Sequence, residues 1–344
     1  MNLLEGSGNT LLAGLSPGLD TSIGSLPHTE IHRGVDFVLA RQTQLPAMPT
    51  LPNRSPMEGM IAQAAWGIAG VTIEADGTLC IDHDQLDPEA PVGDAELRGE
   101  PFLTWRHFLH AVAFRTEPIK LQLTGPVTLA TALTKAGVAP NLAFKIAGRA
   151  VESRAEALLN LADALAPRAE RLVFLDEPSL GGLVSEDFLW DRDEAVDLVS
   201  GALLTLERRA TTGLHCCAYT DWKLLLQAGP KVLSVPVGGG VETAGENLGR
   251  FLDDGGWIAW GAIPTDAPIG LEPGRLWKQL SMSWCQLVQS GCDPIQLRAQ
   301  ALVTPSCGLA QHGLSQADAV LRLNRQVASQ IHEQAIGVRL AIGA

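Results

Sequence analysis

The chain has 344 residues, 46% of them hydrophobic and 18% charged, so it can bury a large core and is not a disordered polymer. Against 25 Lys and Arg stand 38 Asp and Glu, a formal charge of −13 with no basic run. Nucleic acid and anionic membrane surfaces both need a basic footprint, so both are excluded as primary partners.

No segment approaches the roughly 18 apolar residues of a membrane span. Met1–Asp20 lacks the basic-then-apolar order of a secretory signal. The six cysteines (Cys80, Cys216, Cys217, Cys285, Cys292 and Cys307) are too sparse for a disulfide framework, and reduced thiols in a cytoplasmic protein are expected.

In chain order, short apolar runs alternate with helix-length segments, the pattern of βα units on a parallel sheet. The predicted strands are 21–25, 47–51, 120–124, 172–175, 212–217, 231–235, 257–262 and 302–306. Eight such runs predict a (β/α)8 TIM barrel in one domain spanning 1–344. Helical spacing runs over 141–164, 191–209, 275–290 and 315–336, the last opening with Ser315 and Asp318 spaced as a capping box. Residues 70–99 break the rhythm: Asp76-Gly77 suggests a hairpin, and Pro88 and Pro91 a loop. This stretch is read as an insertion after the second strand.

Turn residues collect at the C-terminal ends of these strands, as in Thr124-Gly-Pro126, Asp176-Glu-Pro178, Ile263-Pro-Thr265 and Pro305-Ser-Cys-Gly308. In a barrel the catalytic groups gather at that end. His215 and Cys217 lie two apart on a predicted strand and so share a face, with Cys216 turned toward the helices. Cys307 ends the eighth strand, so the three can converge above the barrel axis. An imidazole and two thiolates suit zinc and leave a coordination position open. Spacing alone equally allows a core histidine flanked by packing cysteines.

Five segments in order resemble the C-terminal catalytic barrel of the cobalamin-independent methionine synthases. They are Thr21-Ser-Ile-Gly-Ser-Leu-Pro-His-Thr29, Leu123-Thr-Gly-Pro-Val-Thr128, Leu175-Asp-Glu-Pro178, His215-Cys-Cys217 and Pro305-Ser-Cys-Gly-Leu309. The His-x-Cys pair with a distant Cys also resembles the corrinoid-linked methyltransferases that act on coenzyme M. The resemblance implies zinc held by His215, Cys217 and Cys307, and methyl transfer to a thiol such as homocysteine. It implies that Asp176 holds the amino group of an amino-acid thiol and that Ile23 and Ser25 meet its carboxylate.

Three departures qualify that likeness. Pro236 falls where the family has a glutamate ligand, with Glu242 the nearest replacement. Leu51 falls where a glutamate binds the substrate amino group. Ala262-Ile-Pro264 replaces an Asp-x-His turn that serves proton transfer, for which Asp266 and His28 are the candidates here. The family's folate-binding second barrel has no counterpart in this chain, so a methyl corrinoid, free or on a carrier protein, is the expected donor. A non-catalytic zinc barrel that binds thiol or corrinoid metabolites is the other reading. Uroporphyrinogen decarboxylase chemistry is a third, for which Arg33, Arg41 and Arg54 match poorly. Arg54 and Glu58 are read as a surface ion pair, Gly238–Gly240 as a flexible loop, and Trp257 and Trp260 as packing.

Overall fold

The computed structural model describes residues 8–266 and 272–342; the reading of Met1–Asp20 therefore lies partly outside the described residues. Seven parallel strands form one curled sheet. They are β1 (Leu19–Asp20), β4 (Ile119–Thr124), β5 (Arg171–Asp176), β6 (Thr211–His215), β7 (Val232–Pro236), β8 (Trp257–Ile263) and β9 (Ala301–Pro305), in the spatial order β1-β9-β8-β7-β6-β5-β4. The two remaining strands, β2 (Val71–Ile73) and β3 (Leu79–Ile81), form a separate antiparallel hairpin. Its turn is made by Gly77 at φ +88°, while Asp76 Oδ1 accepts the Thr78 N–H at 2.9 Å.

The edges of the curled sheet, β1 and β4, do not pair with each other. Between them lies an extended segment around 46–50. Met48 N–H donates to the Lys120 carbonyl, and Lys120 N–H to that of Pro46. On the other side Leu26 N–H donates to the Thr50 carbonyl, and Thr50 N–H to that of Gly24. Isolated parallel bridges at Ser25–Thr50 and Ala47–Lys120 mark this place. The segments expected as the first two strands are thus present mostly as single bridges rather than ladders. Pro46, Pro49 and Pro52 supply no amide hydrogens there, which limits pairing.

Alternation along the strands separates two apolar clusters. Val173, Leu175, Leu214, Leu233, Val235, Ile258, Trp260 and Val303 point outward and pack under the helices. Leu172, Phe174, Val232, Trp257, Ala259 and Leu302 point inward. With them pack Leu11 and Leu12 of the helix Gly8–Gly14, and Leu15 just after it, so a short helix seals one end of the sheet's interior. Gly213 is required on β6 because the Phe174 ring lies where a Cβ would stand.

The long helices follow the expected segments closely, as Pro140–Leu165, Arg192–Glu207, Pro273–Gln289 and Leu314–Ile342. The capping box at Ser315 is a correction. Gln316 Oε1 accepts the Gly313 N–H at 3.0 Å, and Asp318 instead binds Arg41 Nε at 2.6 Å and Arg322. A tertiary guanidinium out-competes a local backbone amide for that carboxylate. No helix among the described residues is long and apolar enough to cross a membrane.

Candidate active site at the C-terminal ends of the strands

One row of the sheet carries the polar groups. Register pairs Thr124 with Asp176, Asp176 with His215, and His215 with Ser234. All four sit at or near the C-terminal ends of their strands, on the inward face. His215 is 3% exposed. Its Nδ1 lies 2.9 Å from Ser234 Oγ, which fixes the ring, while Nε2 is buried with no hydrogen-bond partner. Asp176 Oδ1 is likewise buried and unpartnered. Two unsatisfied polar atoms on adjacent strands are costly unless something binds them.

Strand β6 ends at His215, so Cys217 stands in the following loop and Cys307 two residues past β9, rather than on the strands themselves. The chain turns so that both thiols still reach the cavities His215 and its neighbours define. Cys217 is half-buried and Cys307 exposed. The Cys217 thiol, and then the His215 imidazole, hold Cys307 well below the usual thiol range; Cys217 is raised in turn by Cys307 and by burial. The pair therefore gives up one proton more readily than two. Cys216 is fully buried among the helices, as its alternation implies, and burial pushes its thiol up to about 12.

The two thiols stand between two cavities. The smaller, about 340 Å³, is lined by Ile23, Ser25, Asp176 and His215 together with Cys217 and Cys307. The larger, about 650 Å³, is lined by Cys217 and Cys307 together with Tyr219, Glu242, Asp266 and Gln279. Both expected carboxylate-side residues thus share a cavity with the expected amino-group partner. Gly308 packs so tightly on the Ser25 hydroxyl that the two loops form one wall. Asp266 is exposed in the larger cavity. His28 lines neither: its ring packs on Phe37 at 4.8 Å between centroids, its Nδ1 is buried and unpartnered, and burial lowers its pKa. Glu242 accepts a hydrogen bond from Ser283 in the larger cavity, which Pro236 also lines.

The donor set fits zinc chemically, with an oriented imidazole, a free Nε2 and two neighbouring thiols, of which Cys307 is disposed to ionise. Among the described residues, no group of three or more His, Cys, Asp or Glu is already drawn close enough to hold a metal ion.

Sequence reasoning missed three groups. Glu58, taken for half of a surface ion pair, is fully buried. The turn Pro56–Glu58 folds it back so that Oε2 accepts the Leu51 N–H at 2.7 Å, while Oε1 accepts Thr104 Oγ1 and Arg54. Burial nevertheless raises its pKa, and it lines the smaller cavity. Nothing local in Arg54–Glu58 signals this, since Thr104 comes from a distant helix. Glu177 accepts the N–H groups of Val127 and Thr128 and the Thr128 hydroxyl, capping the helix Pro126–Lys135. Gly125 is needed there because a Cβ would meet the Glu177 side chain. The Thr-Gly-Pro and Asp-Glu-Pro motifs are thus two halves of one contact. The third is Lys120, whose polar alternation with Gln122 and Thr124 was visible in the strand but not interpreted.

The sequence matches no protein-family model and no curated protein. Solved structures do match. A B12-independent methionine synthase from Shewanella sp. W3-18-1, solved in complex with selenomethionine, superposes over 94% of this chain and 100% of its own, with TM-score 0.65 and 14% identity. A putative vitamin-B12 independent methionine synthase from Listeria monocytogenes covers 93% and 98%, with TM-score 0.58 and 12% identity. Such identities establish shape, not chemistry. The chain is similar along almost its whole length to B12-independent methionine synthase structures, and it has their fold.

Proposed function

We propose that the protein is a zinc-dependent methyltransferase acting on a thiol, with an amino-acid thiol such as homocysteine as acceptor, in methionine synthesis. The reading treats residues 1–344 as one (β/α)8 barrel domain, with 70–99 an insertion after the second strand, working in the cytoplasm. The observation that carries it is the buried, unpartnered Nε2 of His215 beside two thiols that wall off one cavity from another. His215, Cys217 and Cys307 would hold the metal, with Ser234 fixing the imidazole. Zinc at that point would favour the thiolate form of a substrate thiol at its open position.

The chain's own groups then divide the work. In the smaller cavity Asp176 meets the acceptor's ammonium, and Ile23 and Ser25 its carboxylate. The acceptor sulfur is thereby directed at the wall formed by Cys217 and Cys307, beyond which a methyl group can be presented from the larger cavity. Asp266, exposed in the larger cavity, is the better situated proton carrier, and His28 the more remote. Among the described residues no Lys, Arg or His lines that cavity, so none of them pairs with an anionic tail of a folate. Gln279, Gln286, Ser283 and Thr265 instead offer neutral hydrogen-bonding groups suited to the amide fringe of a methyl corrinoid, free or on a carrier protein. The selenomethionine in the Shewanella structure, an amino acid with a methylated side chain, is in keeping with such a product.

Metal analysis and a methyl-transfer assay with methylcobalamin and homocysteine test the reading together. The expected result is about one zinc per chain and transfer that both disappear in Cys307→Ser. Zinc without transfer to any of a panel of thiols favours the non-catalytic barrel. No zinc in the wild type overturns both.

A further inference from the structure

Lys120 is buried in the sheet's interior at 2% exposure. It stands at the foot of an inward column on β4, and the two residues above it, Gln122 and Thr124, line the smaller cavity. Its Nζ donates to the Ile23 carbonyl at 2.6 Å and to Gln122 Oε1 at 3.3 Å, and lies 5.0 Å from the centre of the Phe174 ring. Among the described residues the one lysine in an ion pair is Lys231; Lys120 has no carboxylate at that range. A methionine or leucine would fill this space without the cost of stripping water from an ammonium. Burial lowers its pKa to about 8, opposed by the negative charge of Asp176, so the group remains largely cationic at neutral pH.

The cavity above needs such a charge. Among the described residues no lysine or arginine lines it, and its acidic lining is Glu58 and Asp176, with the Cys217 and Cys307 thiols beside them. Glu58 is already bound by Arg54. Asp176 beside the cavity and Lys120 beneath it attract each other without forming a direct ion pair. We propose that Lys120 is a positioning residue that fits the smaller cavity for an anionic group on the acceptor thiol. Its ammonium grips the Ile23 carbonyl, polarises the Ile23–Gly24 peptide so that its N–H becomes a stronger donor, and sets a positive potential under the cavity. The assignment rests on the thiol-acceptor reading above, and it makes a carboxylate on the acceptor a requirement for tight binding.

The test measures dissociation constants by calorimetry on the full chain for homocysteine and for 3-aminopropanethiol, the same molecule without its carboxylate. The wild type should prefer homocysteine by on the order of tenfold or more. Lys120→Gln, which keeps an N–H donor but carries no charge, should lose most of that preference while binding 3-aminopropanethiol as before. Lys120→Met serves the same purpose should the glutamine variant fail to fold by circular dichroism. Equal weakening of both thiols, or an unchanged preference, overturns the assignment and leaves Lys120 as packing. A wild type that binds both thiols equally overturns it without any variant. A wild type that binds neither overturns the thiol reading itself, and the Lys120 assignment with it.

Discussion

The two ends of the sheet's interior are built from opposite materials. At the closed end Leu172, Val232, Trp257 and Leu302 meet Leu11, Leu12 and Leu15, an apolar plug. At the open end the same strands present Thr124, Asp176, His215 and Ser234, two of them with buried polar atoms that nothing satisfies. One end gains stability from burial; the other gives some up in unmet hydrogen bonds. Such a division is expected where a barrel's catalytic loops gather at one end. Lys120 and Phe174 lie near the boundary, a cation against an aromatic face.

The largest effect should come from the open end. His215→Ala or Cys307→Ser should abolish zinc retention and lower methyl transfer by at least about 10²-fold, while changing the urea midpoint of the metal-free protein little. A metal-free variant that unfolds readily would place these residues with the structural plug instead. The reverse should hold for the inward apolar cluster, up to its boundary with the open end. Phe174→Ala should cost about 3–5 kcal/mol in chemical denaturation, with zinc stoichiometry unchanged. Next in size, Ser234→Ala frees the His215 ring and should weaken zinc binding roughly 10–100-fold in a chelator competition, without loss of stoichiometry at saturation.

The smallest effect blurs the contrast, because it puts functional-looking charges into the stability balance. Glu177 is raised by burial to about 7, so the folded chain holds its proton more tightly than the unfolded one. Its contribution is therefore fully present below the ordinary glutamate pKa near 4.5 and is lost as pH rises through 7. Lys120 acts in the opposite sense, since its pKa is lowered to about 8. Stability should recover as pH rises from there toward 10.5, the ordinary lysine value. A minimum in unfolding free energy near pH 7–8 is the expected profile. Glu177→Gln should flatten the acidic limb at a cost of about 1–3 kcal/mol from a disturbed helix cap, and Lys120→Met should flatten the alkaline limb. An unchanged profile in both variants would mean that neither group titrates in the folded chain.

Much of this arrangement was legible in the residues. The runs 120–124, 172–175, 212–217, 231–235, 257–262 and 302–306 each fall on an observed strand within about two residues, because a buried parallel strand is apolar on both faces, or, as at 120–124, on at least one. The first two predicted strands were harder: prolines dilute the apolar signal and also thin the hydrogen bonding to isolated bridges. The helix Gly8–Gly14 that plugs the interior was not anticipated, since seven residues are too few to display a period. Within the site, His215 and Cys217 line the smaller cavity and Cys216 does not, although the strand expected to carry all three ends at His215. His28 packs on Phe37 instead and lines neither cavity.

What the sequence determined by itself was local: which runs extend, which coil, and which soft ligands sit where strands end. These follow from alternation and turn chemistry, which act over a few residues. Tertiary structure decided which charges are paid out in solitude and which are paired. Glu58 became a buried cavity wall because Thr104 and the Leu51 amide converge on it, and Lys120 became a lone cation because the sheet curls over it. Burial and partnership depend on groups tens to hundreds of residues away, and no window of sequence contains them.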